Sequence, residues 1–151
     1  MKLAEALMER KASKTKMDAL RQRIYQNAQI EQGGQPTEAP LPLLEELAEE
    51  ARRFQSIVAR INATNVAACL PDGTPLAEAV LRRDMLRYLH LTVTNLAAKA
   101  MPSQDRYSAR EIKNAPAVPP AELHQRADAL AKELRLLDAA VQQANWLVEL
   151  A

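Results

Sequence analysis

This chain of 151 residues has few of the residues that interrupt helices, cross-link chains or line roomy binding sites. It contains three glycines, one cysteine, one phenylalanine, one tryptophan and three tyrosines. With Cys69 alone, an intramolecular disulfide is excluded, so nothing demands an oxidising compartment. Because Cys69 lies in an apolar run, we expect it to be buried and unreactive. The scarcity of aromatic residues argues against a large ligand pocket, which such side chains usually line.

Long apolar runs are also missing from the sequence. No segment approaches the roughly 18 uninterrupted apolar residues that a membrane-spanning helix requires. Glu5 and Glu9 lie where a signal peptide would need an apolar stretch. We therefore expect a cytoplasmic protein without a membrane partner.

The glycines and prolines are confined to four junctions, at residues 33–42, 71–75, 102 and 116–120. Both residue types interrupt helices, and the main stretches between these junctions run about 25 to 30 residues. More than half of the residues are Ala, Glu, Lys, Leu or Arg, which is typical of long helices. The sequence predicts one all-α domain over residues 1–151, an antiparallel bundle of four long helices with coiled-coil-like seams. Pro71-Asp72-Gly73 predicts a small turn or mini-hairpin between helices 2 and 3.

Apolar residues recur at spacings of three and four, which predicts the buried row of each helix. In the first helix Arg10 and Lys14 interrupt this row. They either extend into solvent or meet acidic residues such as Asp128, Glu133 or Asp138. The predicted rows of the other helices are Leu44, Leu47, Ala51, Phe54, Val58 and Ile61 in the second, Ala79, Arg82, Leu86, Leu89, Val93, Leu96 and Ala100 in the third, and Leu123, Ala127, Leu130, Leu134, Leu137, Val141, Ala144 and Val148 in the fourth.

Two sets of polar residues are candidates for binding. The long 103–120 connection carries Arg106, Tyr107, Arg110 and Lys113, which would suit an anion or a partner carboxylate. This loop would equally dock onto its own helices or onto a neighbouring subunit. The second set is a polar core site composed of Arg10, Lys14, Arg82, His90 and Asp128.

Catalytic and metal-binding patterns are not found in the sequence. Neither His90 nor His124 has a glutamate three positions before it, as carboxylate di-iron bundles require. One cysteine and two histidines are too few for a zinc site. We expect no catalytic residue, no metal and no cofactor.

Several strings together resemble an uncharacterised bacterial family whose members are often labelled septicolysin. They are Ala6–Lys11, Arg60–Asn65, Arg82–Asp84, Arg106–Lys113 and Asn145–Trp146. The resemblance spans nearly the whole chain, and it implies a cytoplasmic, helical, self-associating protein of unknown role. It transfers no catalytic residue. The lysin activity that the label suggests is not expected, because a pore needs membrane helices or membrane strands and the sequence predicts neither.

The charge pattern and the predicted helices leave three functions open. The first is a self-associating interaction or scaffold protein that forms a homo-oligomer and is not an enzyme. The second is nucleic-acid or anion binding through the basic first helix and the 106–113 loop. The net charge of +1 and the few aromatics weigh against a nucleic-acid partner. The third is a ligand-binding protein or enzyme with its polar site between subunits.

Overall fold

The computed structural model describes residues 1–102 and 114–151, and these residues form four α-helices and no strand. The all-α prediction is therefore confirmed. The glycine and proline junctions lie between the helices, except that α2 and α4 each begin at a proline of a junction. Proline is tolerated in the first helical turn, where the backbone N–H has no intrahelical partner. The helices are α1 (Leu3–Gln26), α2 (Pro40–Ala67), α3 (Leu76–Ala100) and α4 (Pro120–Leu147).

The chain divides into two compact units. The first comprises Met1–Leu76 together with Gln142–Ala151, and the second comprises Ala77–Val141. The single domain expected from the sequence stays a prediction, and each unit is described by itself. Within the described residues, no helix is long and apolar enough to cross a membrane.

In the first unit, α1 and α2 form an antiparallel hairpin. Arg23 forms an ion pair with Glu38 close to the connection. Farther from the connection, Lys16 Nζ lies 3.3 Å from a Glu46 carboxylate oxygen. The charge pattern agrees with this pairing, because residues 1–28 carry an excess of cations and residues 29–64 an excess of carboxylates.

The two ends of the first unit meet in an isolated antiparallel bridge between Lys2 and Glu149. The Leu3 N–H donates to the Val148 carbonyl at 2.9 Å, and the Leu150 N–H donates to the Met1 carbonyl at the same distance. These bonds satisfy an N–H at the start of α1 that has no partner within the helix. Leu3 is fully buried beneath them.

The predicted mini-hairpin is present between α2 and α3. The Leu70 N–H donates to the Thr74 carbonyl at 2.8 Å, and the Gly73 N–H donates to the Leu70 carbonyl at 2.9 Å. Gly73 adopts a φ of 86°, a conformation that glycine reaches without steric cost. The expectation that Cys69 is buried is wrong, because Cys69 is exposed and Leu70 is buried instead. Neighbours on an extended backbone point to opposite sides.

The predicted rows are confirmed in α4 and only partly in the other helices. Every α4 row residue is buried or half-buried. In α2 the buried row passes through Leu43, Glu50 and Ile57, and the predicted Leu44 is exposed. In α1 the row passes through Ser13 rather than Arg10 or Lys14. These differences arise because small or paired polar side chains occupy buried positions that a hydrophobic pattern does not register.

In the second unit, ion pairs join α3 to α4. Arg83 is largely buried and lies 3.0 Å from Asp84 and 3.5 Å from Asp138. Arg82 is exposed and lies 2.5 Å from Glu133. The predicted α3 row is therefore wrong at Arg82.

Candidate functional site

A buried carboxylate connects α1 to α2 in the first unit. Ser13 Oγ donates to Glu50 Oε1 at 2.6 Å, and Lys16 Nζ lies 3.1 Å from Glu50 Oε2. Arg53 lies farther from the same carboxylate, at 3.9 Å. The Ser13 hydrogen bond, followed by the bond from Lys16, holds the pKa of Glu50 below its ordinary value. We call Ser13, Lys16 and Glu50 the carboxylate cluster.

The carboxylate cluster borders an open cleft of about 330 Å³. Its geometry does not suit nucleophilic catalysis. A serine nucleophile requires a base that accepts its proton, and a carboxylate with a lowered pKa is a weak base. In the part of the chain that the structure describes, no buried side-chain polar atom lacks a partner. The cluster is therefore a fully paired polar contact between α1 and α2.

A second cleft of about 370 Å³ lies on another side of the same hairpin. Its apolar residues include Met17, Leu44 and Leu47. At its rim the Asp18 carboxylate forms ion pairs with the side-chain nitrogens of Lys14 and Arg21, each at 3.1 Å. The rim charges are paired with each other, so this cleft presents a mostly apolar surface with little net charge.

An extended apolar surface lies on α3 in the second unit. Six large apolar residues of α3 are exposed. Apart from Leu91, which lies on a different side of the helix, five of them expose between 45% and 66% of their surface. Their spacings of one, three, four and seven residues place them on one side of the helix, over a length of about 22 Å. Single exposed apolar residues are common, whereas a contiguous set is typical of an interaction site. We call this set the α3 stripe: Leu81, Met85, Tyr88, Leu89 and Leu96.

A different side of α3 is buried. Ala79 and Leu86 are buried there, and Val93 is half-buried. Leu89 and Leu96 were predicted for this covered row and belong to the exposed stripe, so the prediction is wrong at both. Because α3 is apolar on two sides, periodicity alone does not identify the side that packs inward.

The ends of the α3 stripe carry opposite charges. Glu78 lies in the first turn of α3 and Lys99 in the last, both exposed. Each is three residues from the nearest stripe residue, Leu81 or Leu96, so both share the face of the stripe. Within residues 1–102 and 114–151, neither Glu78 nor Lys99 has an ion-pair partner.

Two residues of the predicted polar core site belong to the first unit. Arg10 and Lys14 are both exposed on α1, and Lys14 pairs with Asp18 on its own helix. Of the two arrangements expected for Arg10 and Lys14, extension into solvent is the one that the structure has.

The other three residues of that set belong to the second unit. Arg82 pairs with Glu133 rather than with Asp128, which is exposed on α4. His90 is half-buried on α3. No described hydrogen bond or ion pair joins Arg82, His90 and Asp128 to one another. The polar core site stays a prediction.

The predicted anion or partner site of the long connection consists of Arg106, Tyr107, Arg110 and Lys113. All four lie outside the described residues. This site also stays a prediction.

Over the residues that the structure describes, these observations define an all-α protein with four long helices, a charge-paired helix hairpin and an exposed apolar helix face. The chain belongs to a family of unknown function (DUF6847), whose model matches residues 10–150. Neither this description nor that of the solved structure below names a septicolysin.

A solved structure shares both sequence and fold with this chain. It is a functionally unknown conserved protein from Corynebacterium diphtheriae, with 38% sequence identity and a TM-score of 0.92. The match covers 100% of this chain and 99% of the other. No curated protein matches this chain.

Proposed function

We propose that this chain is a self-associating helical interaction protein of the cytoplasm, whose biochemical activity is assembly with copies of itself rather than catalysis. The observation that carries the proposal is the α3 stripe, a contiguous row of exposed apolar side chains. Such a row is costly to leave in water and is typical of helix surfaces that pair with another helix.

The size of the α3 stripe indicates the strength of the association. Covering the exposed halves of five side chains on each of two copies gains roughly 10 kcal/mol, at about 1 kcal/mol per side chain. Association itself costs an estimated 4 to 15 kcal/mol in lost freedom of motion. At the lower end of that cost the surplus is about 6 kcal/mol, which corresponds to a dissociation constant of tens of micromolar, so protein concentrations should span roughly 1 µM to 1 mM.

Four of the six cations of α1 are already paired with carboxylates, which weighs against the nucleic-acid alternative. Lys14 and Arg21 pair with Asp18, and Lys16 pairs with Glu46 and Glu50. Arg23 pairs with Glu38. Cations already engaged with carboxylates release few counterions when they meet phosphate, which is the main source of nucleic-acid affinity.

The test is the solution mass by light scattering over this concentration range, for the natural chain and two variants. Tyr88→Glu places a charge at the middle of the α3 stripe, where burial matters most. Ala98→Glu is the matched control, because Ala98 is exposed on the same helix away from the stripe. We expect the natural chain and Ala98→Glu to associate, and Tyr88→Glu to stay monomeric with unchanged helix content by circular dichroism.

Two results would contradict the proposal. One is a natural chain that stays monomeric up to 1 mM. The other is an oligomer that Tyr88→Glu leaves unchanged, since the α3 stripe would then not be the contact surface. An experiment at high salt adds a check, because apolar contacts survive salt that screens exposed ion pairs.

A further inference from the structure

The α3 stripe has a symmetry in its residue order. Leu81 precedes Tyr88 by seven residues, and Leu96 follows Leu89 by seven. Glu78 precedes Tyr88 by ten residues, and a lysine, Lys99, follows Leu89 by ten. The order of apolar residues along the α3 stripe is therefore nearly the same in both chain directions, whereas one end of the stripe is acidic and the other basic.

Resting on the self-association proposed above, we propose that two copies of α3 pair antiparallel through their stripes, about a two-fold axis between Tyr88 and Leu89. In this arrangement Leu81 lies opposite Leu96 of the partner subunit. Glu78 lies opposite the partner's Lys99, and the same contact recurs at the other end. A two-fold contact uses one patch on both subunits, and the order of the α3 stripe fits that requirement.

Charge selects the antiparallel direction over the parallel one. In a parallel pair, Glu78 would face Glu78 of the partner subunit and Lys99 would face the partner's Lys99. Like charges directly opposite each other destabilise a contact, whereas opposite charges stabilise it. The helix dipoles act in the same sense, because antiparallel helices place ends of opposite partial charge side by side.

The remaining position on this face is compatible with an apolar contact. Thr92 lies between Leu89 and Leu96, and in the antiparallel pair it faces Met85 of the partner subunit. The Thr92 hydroxyl donates to the Tyr88 carbonyl of its own helix at 2.9 Å. Its hydrogen-bonding need is met within the helix, so its methyl group is free to pack.

A charge-exchange series tests the direction of pairing. Glu78→Lys and Lys99→Glu each place like charges opposite one another twice in the dimer, and we expect each to weaken association roughly three- to tenfold. The double variant Glu78→Lys with Lys99→Glu restores opposite pairs, so its dissociation constant should return to within about twofold of the natural value. If both single changes and the double change leave the dissociation constant unaltered, these charges do not face each other and the proposal is overturned.

Cysteine cross-linking provides a second test in a chain whose natural thiol has been removed by Cys69→Ser. Chains carrying Leu81→Cys are mixed with size-tagged chains carrying Leu96→Cys and joined by a short bis-maleimide. We expect mixed cross-linked dimers and no dimer from either variant alone. Dimers of Leu81→Cys with itself would show parallel pairing and would overturn the inference.

The outcomes separate this inference from the proposed function. A monomeric natural chain would overturn both. An oligomer that Tyr88→Glu abolishes, but in which Leu81→Cys cross-links only to itself, would leave self-association in place and overturn the antiparallel arrangement alone.

Discussion

Glu50 is a carboxylate placed in the interface of a helix hairpin. Burial alone would raise its pKa, but the hydrogen bond from Ser13 and the bond from Lys16 outweigh that effect and lower it. The same contact, together with Glu46, raises the pKa of Lys16. The charged forms of both groups are therefore favoured by folding. We expect this contact to favour one register of α1 along α2, because a slip would separate the Glu50 carboxylate from Ser13 and Lys16.

We expect Glu50→Gln to destabilise the protein by about 1 to 2 kcal/mol at neutral pH, because a charge-assisted contact with Lys16 is lost. Since the pKa of Glu50 is lower in the folded than in the unfolded chain, its contribution is present above about pH 5 and disappears as the pH falls through the folded pKa. Chemical denaturation at several pH values measures both effects.

The matched control for this prediction is Glu49→Gln, which makes the same chemical change at an exposed neighbour. We expect the free energy of unfolding of Glu50→Gln to depend less on acid pH than that of the natural chain, and that of Glu49→Gln to follow the natural chain. Equal effects of the two changes would show that Glu50 acts only through net charge.

At the scale of single helices, the glycine and proline positions were the most informative part of the sequence. Proline interrupts the interior of a helix but is tolerated in its first turn. α4 therefore begins at Pro120, as predicted, and α2 begins at Pro40, inside the predicted first junction. The buried rows were less predictable. Periodicity registers apolarity only, and it therefore missed Ser13 and Glu50, which are buried through their contact with each other.

On α3, hydrophobic periodicity also failed to distinguish the buried side of the helix from the exposed side. Leu89 and Leu96 were predicted as inward-facing because they continue an apolar row, yet they are exposed. A second row that includes Leu81, Met85 and Tyr88 was present in the sequence, with charges of opposite sign at its ends. That second row was the signal for a surface, because one helix side suffices for a core.

The mini-hairpin between α2 and α3 depends on Gly73, whose φ of 86° is strained for most residues. Because no atom lies within 4 Å of the position that a Cβ would occupy, the cost of substitution is conformational rather than steric. We expect Gly73→Ala to destabilise the protein by about 1 to 2 kcal/mol. Gly73→Asn should cost clearly less, since asparagine tolerates this conformation. Thermal unfolding of both variants measures the difference, and equal losses would contradict a conformational cause.

At the scale of the whole molecule, association and stability are linked. A second copy that binds only the folded chain stabilises it by mass action, by an amount that grows with concentration. If the α3 stripe is covered in the oligomer, only the associated chain has this additional free energy of unfolding, and the single chain does not. Thermal unfolding therefore reports on self-association independently of any measurement of mass.

We expect the unfolding midpoint of the natural chain to rise by several degrees between about 5 µM and 500 µM, because a stabilisation of 1 kcal/mol shifts the midpoint of a domain of this size by roughly 2 to 5 °C. Tyr88→Glu should show one midpoint at all concentrations, close to that of the natural chain when dilute, because Tyr88 is exposed in the single chain. Ala98→Glu should retain the concentration dependence. A Tyr88→Glu midpoint that is low but still rises with concentration would mean that this residue supports the fold of α3 and that the contact between copies lies elsewhere.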